Sequence, residues 1–237
     1  MTADAEASAL FYAGLQGRVV ARLLAERLAP MLADISGLEV LGIGYAAPFL
    51  PAHRGPGAAR RCVALTPAQT GVAAWPRGEA GLSCTAEEDA LPFPDLCFDR
   101  VLLVHGLEAA DNARRMLREA WRVLKDDGRL IVVAPNRRGM WAHVETTPFG
   151  QGQPYSPGQI GRLLRASLFA VERRDTALYM PPLPWKIVLR GARLWERAGR
   201  VVAPQLAGVT ITEASKDLYG AVPVGAGARR RLVLEAG

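Results

Sequence analysis

An α/β fold, a mostly parallel sheet covered by helices on both faces, is predicted by three features of the sequence. Apolar runs of strand length alternate with helical patterns between residues 38 and 135. The best of those runs, Asp99-Arg-Val-Leu-Leu-Val-His105, is continuously apolar in its centre, as a strand buried on both faces must be. A turn of small residues, Gly42 to Pro48, follows the first run directly. With 237 residues, 50% of them apolar, the chain suits one globular domain with a small appended element.

Taken in order, residues 5–33 carry apolar positions at helical spacing (Leu10, Phe11, Leu15, Val19, Leu23, Leu24, Leu28), interrupted at Gly14 and Gly17 and stopped by Pro30. They predict one or two N-terminal helices laid against the later domain. Strands are expected at Leu38–Ile43, Arg61–Leu65, Gly81–Thr85 and Asp99–His105. Met116, Leu117, Ala120, Trp121 and Leu124 make Ala113–Leu124 an amphipathic helix. Lys125-Asp126-Asp127-Gly128 reads as a turn into a strand at Arg129–Ala134. A sixth strand is expected near Ala170–Tyr179 and a seventh near Gly208–Ala214, with a helix from Lys186 to Val202 between them. Ala221–Gly237 reads as an extra edge strand or a tail. The organisation predicted is an N-terminal helical segment (1–35), a core (36–179), and a region 180–237 holding the inserted helix, the last core strand and the tail.

Composition narrows the function classes. The acidic N-terminus lacks the positive start of a signal peptide, and no apolar run approaches the ~18–20 residues of a membrane span. Cys62, Cys84 and Cys97 show no paired spacing, which points to reduced thiols and a cytoplasmic protein without a metal site. The net charge of +6 is carried almost wholly by Arg, Lys occurring only at positions 125, 186 and 216. The basic charge is spread along the chain with no aromatic-interleaved run, which argues against nucleic acid as partner.

Two stretches carry a family resemblance. Leu91-Pro92-Phe93-Pro94-Asp95 followed by Phe98-Asp99-Arg100-Val101, and Glu119-Ala-Trp-Arg122-Val-Leu-Lys-Asp-Asp-Gly128-Arg-Leu130, resemble the LPFPD…FDxV and ExxRVLKPGGxL signatures of S-adenosylmethionine (SAM) methyltransferases typified by ubiquinone and menaquinone biosynthesis enzymes. The order and spacing cover about residues 38–135. The resemblance implies a Rossmann-like class I methyltransferase fold, seven-stranded and mostly parallel with an antiparallel last strand. The implied cofactor is SAM and the implied partner a small-molecule acceptor. A nicotinamide dehydrogenase fits less well, since the first loop lacks the full GxGxxG pattern.

In that family three acids place the cofactor, and only one is evident here. The acid at the end of strand one, which orients the methionine ammonium, falls on Gly42. The ribose acid after strand two falls on Ala64, because Leu65-Thr66-Pro67 aligns with the I-S-P that follows it. The adenine-side acid falls on Glu87, with Glu88 and Asp89 within a one-residue slip. A charge-assisted hydrogen bond contributes roughly 1.5–3 kcal/mol. Losing two without replacement weakens binding about 10²–10⁴-fold. The resemblance therefore implies cofactor contacts from Gly42, Gly44, Tyr45, Ala46, Thr66, Glu87, Glu88, Val104 and His105. Thr66, Gln69 and Tyr45 are the candidates to replace lost anchors.

His105 ends the central strand, where the family lines its cleft, and is a candidate general base; His143 is a second candidate catalytic residue. The Gly- and Pro-rich segment Trp141–Gly152 around His143 has the composition of a lid. His53, among Pro and Gly, is assigned no role. On the helix Lys186–Val202, Arg190, Arg193, Arg197 and Arg200 form one stripe, and Ile187, Leu194, Trp195, Ala198, Val201 and Val202 fill much of the rest. Such a helix fits an anionic membrane surface, which would make the protein peripheral there, or a docking protein. The leading functional reading is SAM-dependent methyl transfer to a small, lipophilic acceptor. The alternative is a methyltransferase-fold protein without catalysis, serving as a binding or regulatory module or a membrane-surface partner.

Overall fold

The structure, a computed structural model, describes residues 3–51, 57–67, 75–76 and 82–218. Gln69, His53 and the tail 221–237 lie outside them. The N-terminal segment forms two helices, α1 (Ala3–Ala13) and α2 (Leu15–Leu28), parted at Gly14. Strands β1 (Glu39–Gly44), β2 (Arg61–Pro67), β3 (Ser83–Ala86) and β4 (Phe98–Val104) follow, then helix α3 (Ala113–Val123), strand β5 (Leu124–Pro135), helix α4 (Pro157–Ala166) and strand β6 (Phe169–Ala177). The chain then runs through α5 (Lys186–Arg190) and α6 (Ala192–Val202) into β7 (Val209–Lys216).

The seven strands form one sheet in the order β3-β2-β1-β4-β5-β7-β6. All pairings are parallel except those of β7, which runs antiparallel to β5 and β6. Alternate side chains of each strand serve opposite faces. Leu102, Val104, Ile131 and Val133 join α2, Trp141 and Phe149 in one apolar core. Val101, Leu103, Leu130 and Val132 join α3 and α4 in the other. Both faces are thus apolar, which is why the strands read as continuous runs. The chain works outward from β1 to β3, then returns to place β4 on the other side of β1. That reversal parts the connections at the carboxyl ends of β1 and β4 and opens a cleft there.

The signature residues have a structural task. The Arg122 guanidinium donates to the Leu91 and Phe93 carbonyls and to Glu119 and Asp95, while Glu119 accepts from the Leu91 amide. α3 therefore clasps the loop that enters β4. The Arg122 guanidinium beside Glu119 holds that carboxyl below the usual carboxylate range.

Three local expectations are corrected. The turn at Lys125–Gly128 is a wide bulge inside β5: Phe98 pairs with Leu124 and Arg100 with Arg129, so the four residues loop out without ending the strand. Helix α4 lies in a segment to which no element is assigned from the pattern. Its signal is Ser156-Pro157-Gly158-Gln159, a capping box with Pro at the first turn, and both reciprocal bonds are made. The single helix Lys186–Val202 is two helices meeting at Gly191, whose carbonyl starts α6 by accepting from Leu194 and Trp195.

α6 is oriented by a charge. Glu196 is buried, and its carboxylate accepts from the backbone amides of Leu178, Tyr179 and Met180 at 3.2, 2.6 and 3.4 Å. Burial pushes this carboxyl up, and the three amides oppose that shift. Gly199 lets the helix approach, since a Cβ there would lie 2.4 Å from the Tyr179 Cβ. With Glu196 turned inward, Leu194, Trp195, Ala198, Val201 and Val202 face solvent. Glu196→Ala removes the acceptor from three buried amides and lowers the unfolding free energy by about 3–5 kcal/mol, read by urea denaturation. A change below about 1 kcal/mol would show that the carboxylate does not hold the segment.

Candidate functional site

The cleft at the β1–β4 switch opens into a cavity whose wall is made by six separate parts of the chain. The end of β1 contributes Gly44 and Tyr45, β2 contributes Thr66 and Pro67, and the loop after β3 contributes Glu88. His105, Gly106, Glu108 and Ala109 follow β4, Pro148, Gln151 and Gly152 come from the segment after β5, and Ser8 of α1 closes the cavity.

The turn at Gly44 is dictated by space. Its φ is +78°, and a Cβ would lie 2.4 Å from the Val104 carbonyl oxygen, so only glycine lets the chain cross β4 there. The Tyr45 amide donates to that carbonyl at 2.8 Å, which fixes the tyrosine at the cavity. The next residue of β4's exit, His105, also has positive φ (52°), a conformation His enters more readily than most residues at a cost of order 1 kcal/mol.

His105 is held at both nitrogens. Nδ1 lies 2.9 Å from Glu108 Oε1 and Nε2 lies 2.9 Å from the Tyr12 hydroxyl of α1. A carboxylate only accepts, so Nδ1 carries the hydrogen toward Glu108, and in the neutral ring Nε2 accepts from the Tyr12 hydroxyl. The ring also packs edge-on against Phe149, and Tyr12 stacks on Tyr45 with ring centres 4.9 Å apart. Burial pushes the Tyr12 phenol well above its ordinary range, keeping it a donor. Glu108 is 4% exposed, and its second oxygen, Oε2, has no hydrogen-bond partner among the described residues.

The structure sorts the sequence-predicted residues. Gly44, Tyr45, Thr66, Glu88 and His105 meet at the cavity. Gly42 does not: it pairs with Ala64 and Leu102 inside the sheet, and a Cβ would lie 2.8 Å from the Ala46 Cβ and 2.9 Å from Leu50 Cδ2. Apolar side chains fill the space an acid would need. Ala46 is buried in that packing, and Val104 turns its side chain into the core while its carbonyl holds Tyr45. Glu87 is exposed and outside the wall, whereas Glu88 is 7% exposed and lines it, so the one-residue slip decides between them. Glu88 Oε1 accepts from the Asn112 amide at 3.3 Å, and burial lifts this carboxyl above the usual range. Ala64 is buried in β2, two residues short of the wall.

His143 is exposed and separate from the cavity, so the two candidate histidines do not act together. Around it, Trp141 and Phe149 are fully buried and Trp141 Nε1 donates to the Met180 carbonyl. The segment expected to be a lid is therefore a wall anchored in the core. Ser8, Tyr12 and Glu108 are site residues the sequence reading missed. Glu108 carried a faint signal, an acid three residues beyond a strand-ending histidine; Tyr12 sits in a helical apolar pattern and carried none. Among the described residues no group of three His, Cys, Asp or Glu could hold a metal, and no helix is long and apolar enough to cross a membrane.

Comparison with known proteins agrees with this geometry. Residues 38–132 match the family described as methyltransferase domain. The demethylmenaquinone methyltransferase of Tropheryma whipplei is 35% identical over 113 residues, covering 43% of this chain and 44% of that protein. The ubiquinone/menaquinone biosynthesis C-methyltransferase UbiE of Pasteurella multocida is 46% identical over 48 residues, 20% of this chain and 18% of its own length. The chain thus spans less than half the length of the curated relatives it matches. Among solved structures, a SAM-dependent methyltransferase from Mesorhizobium loti superposes with a TM-score of 0.57 at 16% identity, over 81% of this chain and 98% of that one. At such identity the likeness shows the fold.

Tyr12→Phe keeps the stacking on Tyr45 and removes the hydroxyl from Nε2, leaving a buried nitrogen without its donor. Urea denaturation should show a loss of about 1 kcal/mol; an unchanged midpoint would mean that α1 does not hold His105.

Proposed function

We propose, from the premise that residues 38–132 belong to the class I SAM-dependent methyltransferase family, that this protein transfers a methyl group from SAM to a small, lipophilic acceptor in the cavity between β1 and β4. One observation carries the reading. In a chain of net charge +6, the described cavity wall holds two buried carboxylates, Glu88 and Glu108, and neither Lys nor Arg. Such a wall favours a cation, and SAM is one.

The residues present fit that cofactor. Gly44 gives the backbone close approach that a nucleoside-binding turn requires, and Thr66 and Glu88 offer an acceptor-rich edge on the β2–β3 side for ribose or adenine donors. When bound, SAM supplies an electrophilic methyl on a sulfonium centre. The chain's own part is to orient and to manage a proton. Glu108 holds the Nδ1 hydrogen of His105, which leaves Nε2 as the basic atom. Nε2 takes the acceptor's proton once the Tyr12 hydroxyl yields its place or relays it. The aromatic packing of Tyr12, Tyr45, Phe149 and Trp141 keeps water from this end of the cavity and suits an apolar acceptor.

A second reading concerns the outer face of α5 and α6. Trp185, Ile187, Leu194, Trp195, Val201 and Val202 are 44–83% exposed, and Lys186, Arg190, Arg193 and Arg197 lie exposed among them. Apolar side chains flanked by cations match an anionic membrane surface, where a lipophilic acceptor would reside.

Calorimetry of refolded, ligand-free protein should show SAM binding in the micromolar range. Glu88→Ala should weaken it by 10-fold or more, while Glu87→Ala should not. Because burial raises the Glu88 carboxyl and its ionised form is the stronger acceptor, affinity should fall on acidification, beginning at a higher pH than an ordinary glutamate would give. No binding at millimolar SAM would replace the enzyme reading with that of a binding module. For the outer face, vesicles containing anionic lipid should retain the protein at low salt and release it at 0.5 M salt. Leu194→Glu with Val201→Glu should abolish retention, and equal retention of wild type and variant would sink the membrane reading.

A further inference from the structure

The position that would carry an ammonium-binding acid at the end of β1 cannot carry one. A side chain at Gly42 would run into Ala46 and Leu50. Yet Glu108, a residue of the cavity wall, has a carboxylate oxygen to spare. Glu108 stands three residues beyond His105, its side chain is 2% exposed, and it lines the cavity. Oε1 is committed to His105 Nδ1 at 2.9 Å, whereas Oε2 is buried with no hydrogen-bond partner among the described residues. A carboxylate has about four lone-pair sites, and a buried one left short of donors costs about as much as a lost hydrogen bond. The oxygen therefore calls for a donor that the described protein residues do not supply.

We propose that Glu108 Oε2 binds the α-ammonium of the cofactor's amino-acid end, taking over the task for which β1 has no acid. The inference rests on the SAM reading and assigns the residue that makes it workable. Three observations select the ammonium over the other cationic or donor groups of that molecule. The sulfonium carries no hydrogen, so it cannot satisfy a lone oxygen that needs a donor. On the proposed reading the adenine amine and ribose hydroxyls would be taken by Thr66 and Glu88 on the β2–β3 side, whereas Glu108 belongs to the loop after β4. An ammonium also brings a full positive charge to a buried carboxylate whose one hydrogen-bond neighbour among the described residues is an imidazole. Glu108 then does two things at once: Oε1 fixes the ring of His105, and Oε2 fixes the end of the ligand beside it.

The test is a cycle between one amino group and one carboxylate, read by calorimetric binding. S-adenosylhomocysteine, its analogue lacking the amino group, and methylthioadenosine, which lacks the whole amino-acid end, are each titrated into wild type, Glu108→Gln and Glu88→Ala. Glu108→Gln should weaken S-adenosylhomocysteine about 10–100-fold and leave the other two ligands unchanged. In wild type the analogue without the amino group should bind about 10–100-fold more weakly than S-adenosylhomocysteine, a comparison that needs no variant. Glu88→Ala should weaken all three ligands alike. The proposal is overturned if Glu108→Gln weakens all three equally, or if removing the amino group costs wild type nothing while Glu88→Ala still loses every ligand. If wild type binds none of the three, the SAM reading itself has failed, and that outcome is distinct from both.

Discussion

The crossing of β1 over the end of β4 is the constraint on which the rest of this site depends. At Gly44 the chain passes so close to the Val104 carbonyl that no side chain is possible, and the Tyr45 amide closes the gap with a 2.8 Å hydrogen bond. One contact thereby fixes two directions. It presents Tyr45 to the cavity and to Tyr12, and it leaves β4 to exit through His105 in the left-handed region. The helix hairpin, the histidine and the acid beyond it are all aligned by where those two strand ends meet.

Charge does the second part of the arrangement. This is an arginine-rich protein, yet its buried interior keeps carboxylates where they have defined tasks. Glu196 gathers three amides and turns α6 so that its apolar stripe faces out. Glu119 and Arg122 lock the loop before β4 to α3. Glu108 steadies His105 and keeps a second, buried oxygen without a hydrogen-bond partner among the described residues. For Glu196 and Glu119 the carboxylate is tolerable because donors converge on it, and its orientation is correspondingly strict.

Legibility in the sequence followed the range of the interactions. The strands and α3 were readable because burial on both faces forces apolar runs and helical periodicity within a dozen residues. Their ends moved by only a few positions, since hydrogen bonding to neighbouring strands sets those ends. The helix expected at Lys186–Val202 broke at Gly191 and the turn at Lys125–Gly128 became a bulge, both because sheet and helix packing override local preference. α4 went unread although its capping box was printed in Ser156 and Gln159. Site residues divided the same way. Gly44, Thr66 and His105 stand at strand ends that the pattern locates, whereas choosing Glu88 over Glu87 needed the actual turn after β3.

By itself, then, the sequence carried the resemblance to methyltransferases, the succession of most strands and helices, and the absence of acids at Gly42 and Ala64. Those are facts of residue identity and short-range spacing. Only the tertiary structure decided what stands in their place. Tyr12 reaches His105 across 93 residues of chain, Ser8 closes a cavity built mostly from strand ends, and Leu50 fills the space beside Gly42. No local pattern encodes such meetings, because they are set by how helices α1 and α2 and the β1–β4 switch pack together. The partner of Glu108 Oε1, and the lack of one for Oε2 among the described residues, are products of that packing.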